Sequence, residues 1–178
     1  MYCIHGMPIG KLIVQNNHMN NLDFFKACWN NEKLATVAMI QALPSDRLVY
    51  QPHPVNRTAR EIVSHLLSHM VDFKTILQFN TCDETLDFDF MDSAMAAYQM
   101  DIFWNEVTAL LNKTSLEAWE NETVELLIEG KTFVTLPRSS MMWFFFFDVI
   151  HHRGQLSAYV RAMGGKNPVV YGYTADSK

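Results

Sequence analysis

The segment Met141–Gly164 constrains the fold of this chain most, because it joins a run of large apolar side chains to a group of polar ones. The aromatic run Trp143–Phe147 is followed at once by Asp148 and then by the pair His151–His152. The apolar run is far shorter than the roughly 20 residues that a helix needs to cross a bilayer. The segment is therefore predicted to be a buried helix and not a membrane span.

Within this helix, one acidic and one imidazole side chain have the spacing of two ligands for one metal ion. Side chains four positions apart lie on the same helical face, so Asp148 and His152 are predicted to project side by side. Carboxylates and neutral imidazoles are good ligands for divalent transition metals, although the same spacing also suits a simple hydrogen bond or ion pair. The position of Asp148 directly after the aromatic run favours the metal, because a buried charge must be paired or bound to a metal.

Composition limits the other function classes. A chain of 178 residues with 49% hydrophobic and 19% charged residues is predicted to form a single domain over residues 1–178. The net charge is −5 and the 14 basic residues are scattered, so no nucleic-acid partner is expected. Cys3, Cys28 and Cys82 show no paired spacing, and the first residues do not resemble a signal peptide. Reduced thiols and a cytoplasmic location are therefore expected, with no membrane partner.

Hydrophobic periodicity predicts four long amphipathic helices. Thr58 begins the pattern T-A-R-E, a capping box in which Glu61 reaches back to the start of the second helix. In the third helix the apolar stripe is predicted to be Met95, Tyr98, Ile102, Val107 and Leu110–Leu111, and in the first helix it includes Leu34. The predicted helices run from about Asn21 to Leu43, from Ala59 to Phe79, from Asp92 or Ser93 to Leu111, and from a cap at Ser139 or Ser140 to Gly164.

The connections between these helices add one small β element. Thr81–Phe90 is predicted to be a loop, and a short helical turn follows Ser115. Thr123–Leu136 alternates in polarity around Gly130, which predicts a β-hairpin. The predicted fold is thus all-α, a four-helix bundle with a small β-hairpin before the last helix, a core over about residues 21–164 and a C-terminal coil over 165–178.

A bundle places metal sites between facing helices, so the pair on the last helix needs a ligand from a neighbour. One edge of the second helix carries Glu61, His65, His69 and Asp72. Such an edge is usually a solvated flank, but His65 is the best placed of the four to be buried and is predicted to be the third ligand. His69 is the alternative. A site of His65, Asp148 and His152 would leave coordination positions open, as catalytic sites do.

Three stretches carry a family resemblance over about residues 21–164: L-P-S-D-R-L-V-Y-Q-P, T-A-R-E-I-V-S-H and D-V-I-H-H-R-G-Q-L-S-A-Y-V-R-A-M-G. They resemble the DinB/YfiT-like family of four-helix-bundle metalloenzymes, whose name refers to induction by DNA damage. That family typically holds a divalent metal such as nickel or zinc with one histidine of the second helix and an H-x-x-x-H pair of the last. By position these ligands fall on His65, Asp148 and His152. Asp148 departs from the family pattern, and a carboxylate there favours harder metals such as iron, manganese or zinc.

The resemblance implies a metal-dependent enzyme, because other members of the superfamily are thiol-dependent S-transferases or isomerases. The expected cofactor is then a divalent metal (Zn, Ni, Fe or Mn) and the expected substrate a low-molecular-weight thiol. The alternative is a non-catalytic helical bundle with a vestigial metal site. In either case the aromatic run Trp143–Phe147 covers more of the helix than one core can absorb, which predicts a homodimer. Arg153 is expected to form an ion pair.

Overall fold

Side-chain caps begin three of the four long helices in the computed structural model, which describes residues 19–83 and 87–177. The Asn20 side chain accepts a hydrogen bond from the Asp23 amide, and Asp92 accepts one from Met95. The predicted capping box between Thr58 and Glu61 is present. The helices are α1 (Asn21–Gln41), α2 (Ala59–Phe79), α3 (Ser93–Leu111), the short α4 (Leu116–Asn121) and α5 (Arg138–Ala162).

The last long helix starts differently from its prediction. Its cap is Pro137, in an extended conformation and without a side-chain hydrogen bond, so the predicted serine caps are wrong. The reason is that a β-strand runs directly into the helix: the Arg138 amide still donates to the Glu122 carbonyl, at 2.7 Å. This backbone hydrogen bond satisfies the first amide of the helix, and the helix begins before either serine, so neither serine can cap it.

The four long helices form a bundle in which α1 and α2 each pack against both α3 and α5. Lys33 near the middle of α1 pairs with Asp101 of α3, and Lys74 late in α2 pairs with Glu106 late in α3. Arg60 at the start of α2 donates to the Phe90 carbonyl just before α3, at 2.6 Å. Helices α2 and α3 are therefore parallel, and the chain between them returns along the bundle. Helix α5 runs antiparallel to α2, which brings their middle turns together. Among the described residues, no helix is both long and apolar enough to span a membrane.

The buried face of α3 differs from the predicted stripe. Met95, Tyr98 and Ile102 are 40%, 68% and 37% exposed, so their assignment to the core is wrong, as is that of Leu34 in α1, at 77%. The predicted core positions Val107 and Leu111 are confirmed as buried. They share the core side of α3, which lies opposite Met95, Tyr98 and Ile102, with Ala96, Ala97, Met100 and Trp104. Small residues allow close approach of a neighbouring helix, and the Trp104 ring stacks on Trp29 with centroids 4.1 Å apart.

A three-stranded sheet lies at one end of the bundle, in the order β1 (Thr81–Asp83), β2 (Thr123–Ile128) and β3 (Lys131–Pro137). Strands β2 and β3 form the predicted antiparallel hairpin, and both Glu129 and Gly130 have positive φ (52° and 72°) at its turn. The prediction of a loop at Thr81–Phe90 is wrong for its first part, because β1 pairs in parallel with β2.

The C-terminal segment is held against the bundle. Arg153 is buried and forms the predicted ion pair, with Glu32 of α1, and it also donates to the Tyr171 hydroxyl. Arg161 pairs with Asp176 at 2.7 Å, close to a short 3₁₀ turn at Ala175–Ser177. Cys82 is buried and Cys28 is partly buried, while the N-terminal segment with Cys3 lies outside the described residues.

Candidate metal centre

Helices α2 and α5 each contribute an i, i+4 pair of side chains to one cluster. His65 and His69 come from α2, and Asp148 and His152 from α5. Each pair projects from one face of its own helix, and these two faces pack against each other. One ligand atom of each side chain therefore lies within 4.8 Å of the others. The three residues predicted from sequence are therefore brought together, and His69 joins them.

A single carboxylate oxygen lies at the centre of this cluster. Oδ2 of Asp148 is 2.8 Å from Nε2 of His69, 3.2 Å from Nε2 of His152 and 3.4 Å from Nε2 of His65. Three imidazole nitrogens thus converge on one negative oxygen from two helices.

Burial within the cluster is uneven. His69 is fully buried and its ring packs edge-on against Phe145, with centroids 5.1 Å apart. The side chains of His65 and Asp148 remain 18% and 32% exposed. The sequence-based expectation that His65 is the more buried histidine is therefore wrong, because the centre of the buried face of α2 passes through His69. The H-x-x-x-H spacing of α2 is the signal that identifies both.

Two of the histidines have a second hydrogen-bond partner on the side away from the centre. Nδ1 of His69 lies 3.1 Å from Oδ2 of Asp72, and Nδ1 of His152 lies 2.8 Å from Oε1 of Gln155. Both partners are acceptors, so each Nδ1 carries a hydrogen and donates it. Acceptors of this kind orient metal-binding histidines and turn Nε2 toward the metal.

The electrostatics of the cluster reflect this crowding. Burial alone would lower the pKa of His69, but hydrogen bonds with Asp148 and Asp72 outweigh it and raise the pKa to about 9. Burial would raise the pKa of Asp148, but hydrogen bonds from His152, His65 and His69 hold it far below its usual range. Burial lowers the pKa of His65 and raises that of Asp72, in each case against an opposing hydrogen bond.

These contacts favour a positive charge at the centre of the cluster. With hydrogens on Nδ1, the Nε2 lone pairs of neutral His69 and His152 would face the Asp148 carboxylate, and that contact would be repulsive. Either an added proton or a metal ion removes the repulsion. The spacing suits the metal, since ligands at 2.0–2.1 Å in a tetrahedral zinc site lie about 3.3–3.4 Å apart, and the contacts to Oδ2 are 2.8–3.4 Å. The residues present therefore fit a divalent metal.

A cleft of about 420 Å³ adjoins the cluster. His152 forms part of its wall, so a molecule in the cleft would lie beside the candidate ligands. The other lining residues come from the end of α5 and from the loop and first turn of α2: Val55, Asn56, Arg57, Ile62, Gln155 and Tyr159.

The fold resembles two solved structures. A DinB-like protein from Bacillus subtilis aligns with a TM-score of 0.66 and 17% identity, over 85% of this chain and 99% of its own. A DinB-like protein from Bacillus cereus aligns with a TM-score of 0.68 and 19% identity, over 83% of this chain and 95% of its own. At such identities the likeness shows the fold alone. Among curated proteins none matches the chain.

The sequence itself matches the profile of the DinB family over residues 16–177. That match includes every helix and strand of the bundle and all four side chains of the histidine–aspartate cluster. The chain belongs to the DinB family.

Proposed function

We propose that this protein binds one divalent metal ion with His65, His69, Asp148 and His152, and that the metal supports catalysis. The observation that carries the proposal is the convergence of three Nε2 atoms on one Asp148 oxygen, at 2.8–3.4 Å. Imidazole nitrogens and a carboxylate oxygen at such distances are a ligand set that divalent transition metals bind. Compared with the set expected from sequence, the proposal adds His69, which has the shortest contact and is held by Asp72.

The ligand set narrows the choice of metal. Imidazoles suit zinc, nickel, iron and copper, while a carboxylate favours harder ions such as manganese and iron. One carboxylate leaves a divalent site with a net charge of about +1, which suits an anionic substrate group. We therefore propose zinc, ferrous iron, manganese or nickel as the metal.

The proposed reaction is the transfer of a low-molecular-weight thiol to an electrophile. When bound, the metal would act as a Lewis acid that lowers the pKa of a thiol or water. Asp72 and Gln155 would hold His69 and His152 in the ligating orientation. Phe145 would exclude water from the inner side, and the exposed edges of His65 and Asp148 would leave an approach from outside.

Metal content tests the binding part of this proposal. Protein purified without an affinity tag or chelator is loaded with zinc, desalted and measured by plasma mass spectrometry. We expect one metal per chain in the wild type and a loss in His69→Ala and His152→Ala. The exposed His53→Ala is the control and should retain full metal. Metal absent from the wild type after loading, or equal content in all variants, would reject the site.

A four-residue ligand set also suits a second candidate, a non-catalytic bundle with a closed site, because four protein ligands fill a tetrahedral metal. Cobalt substitution separates the two. An enzyme with an open position should show a new sulfur-to-cobalt charge-transfer band when 2-mercaptoethanol is added. A closed site should show intense tetrahedral cobalt bands that the thiol does not change.

We also propose that the protein is a homodimer. Phe24 and Phe147 are 46% and 61% exposed and line an apolar groove of about 430 Å³ between α1 and α5. Exposed apolar patches usually mark association sites, and a second copy of the chain is the proposed occupant. Light scattering after size-exclusion chromatography should give twice 20.6 kDa. Phe147→Glu should reduce the mass and Val49→Glu, a control at an exposed valine, should not; a monomeric wild type would contradict the proposal.

A further inference from the structure

The cleft beside the cluster has an unusual charge for this protein. The chain carries a net charge of −5, yet the lining residues of the cleft include no aspartate or glutamate and one guanidinium, that of Arg57. Within the described residues, no carboxylate forms an ion pair with Arg57 at contact distance, and the nearest acidic influence is Glu61, whose pKa Arg57 helps to lower through space. A guanidinium in a cleft wall that carries no acidic side chain, beside the candidate metal centre, is a group that attracts an anion.

The backbone that carries Arg57 is held in place by the end of α5. The Tyr159 hydroxyl donates to the Arg57 carbonyl at 3.1 Å, and Tyr159 is only 5% exposed. The Tyr159 ring packs edge-on against Tyr50, with centroids 5.6 Å apart. The guanidinium therefore projects from a fixed point of the cleft wall, although its end is exposed.

Other donors near the start of α2 are already in use. The amides of Ala59 and Arg60 donate to the carbonyls of Tyr50 and Leu48, and the Thr58 amide donates to the Glu61 carboxylate at 2.6 Å. The start of this helix thus has few amides to offer, and Glu61 adds a negative charge nearby. A phosphate dianion would meet one cation and an adjacent carboxylate, whereas a monoanion needs only the guanidinium.

The remaining lining groups define the rest of the ligand. The side chains of Asn56 and Gln155 offer amides, while Val55 and Ile62 offer apolar surface. A volume of about 420 Å³ is at the lower end of small-molecule sites, which span about 300–1,000 Å³. The cleft therefore suits a short organic molecule with one charged end.

We infer that this cleft binds a small organic molecule with one carboxylate, and that the Arg57 guanidinium receives the carboxylate while the remainder of the molecule extends past Gln155 toward His152. This inference deepens the proposed function, because it names the class of substrate presented to the metal. The cleft residues are separate from the four candidate ligands except for His152. Anion binding can therefore be measured whether or not the protein holds a metal.

The test uses butyrate as the probe and neutral butyramide as its uncharged match. Binding is followed by NMR at low ionic strength, through the side-chain amide signals of Asn56 and Gln155, in metal-free and zinc-loaded full-length protein. We expect butyrate to shift both signals. Its dissociation constant should rise about fivefold or more in Arg57→Gln, since a charge-assisted contact is lost. The dissociation constant of butyramide should be the same in both proteins.

The control is Lys113→Gln, which removes one exposed positive charge at the opposite end of the bundle and should leave butyrate binding unchanged. Equal butyrate affinity in wild type and Arg57→Gln, tighter binding of inorganic phosphate, or butyrate binding seen only with zinc present would overturn the inference. Butyrate binding to a protein that takes up no zinc would instead support the cleft and reject the proposed metal function.

Discussion

Metal binding by this protein should release a proton from His69. The contacts of His69 determine how strongly this proton competes with the metal. Hydrogen bonds with Asp148 and Asp72 raise the pKa of His69 to about 9, so the metal-free protein carries this imidazole protonated at pH 7. A metal requires the neutral ring. Since pH 7 lies about two pH units below that pKa, proton competition weakens metal affinity at pH 7 by about a hundredfold, or about 3 kcal/mol.

The dependence of metal affinity on pH follows from the same proton on His69. Between about pH 6.5 and 9 the apparent metal affinity should rise tenfold per pH unit from His69 alone. His65 contributes little to the pH dependence in this range, because burial lowers its pKa and its imidazole is already neutral. Above about pH 9 the contribution of His69 ends.

Isothermal titration of zinc in buffers of different ionisation enthalpy measures the protons released. At pH 7 we expect at least about one proton per metal, with a decrease through about pH 9. Asp72→Asn removes one of the two carboxylates that hold the proton, so the decrease should occur at lower pH. Zinc binding with no proton release at pH 7, or a profile that Asp72→Asn leaves unchanged, would show that His69 is not protonated in the metal-free protein.

Three further predictions concern stability and the outer contacts of the site. The raised pKa of His69 contributes about 3 kcal/mol to the free energy of unfolding of the metal-free protein. This contribution is fully present below about pH 6.5 and should be lost as pH rises through about 9. Urea unfolding of the metal-free protein at several pH values measures the loss. Asp72→Asn should weaken zinc affinity about 10–100-fold above pH 9, where proton competition is absent, as measured against a competing chelator. Trp29→Phe should cost about 1 kcal/mol more than Trp104→Phe in urea unfolding, because Trp29 Nε1 donates to Thr108 at 2.9 Å while Trp104 Nε1 is buried without a partner; equal costs would contradict this.

The elements with strong local signals could be predicted from the sequence. Thr58 and Glu61 form the expected capping box, so the bounds of α2 agree with prediction. Gly130 lies in the turn of the expected hairpin, where the backbone has positive φ. Both features depend on neighbours in sequence, which periodicity and turn chemistry report directly.

Features decided by tertiary contacts could not be predicted in the same way. Helix α3 is apolar on more than one face, and the stacking of Trp104 on Trp29 accompanies the burial of a face other than the predicted one. Strand β1 has three residues and needs the hairpin as its partner. The burial of His69 rather than His65 depends on the rotation of α2 against α5, which brings His69 against Phe145. Sequence spacing specifies the shared edge of a helix but not this rotation.

We propose that three imidazoles and one carboxylate hold a single divalent metal between α2 and α5. X-ray absorption at the metal edge of zinc-loaded protein tests it most directly, because the fine structure counts imidazole ligands and gives their distances. We expect three imidazole nitrogens at about 2.0–2.1 Å and at least one oxygen at about 2.0–2.2 Å, with one imidazole fewer in His69→Ala. A spectrum with no more than one imidazole, or one unchanged by His69→Ala, would contradict it.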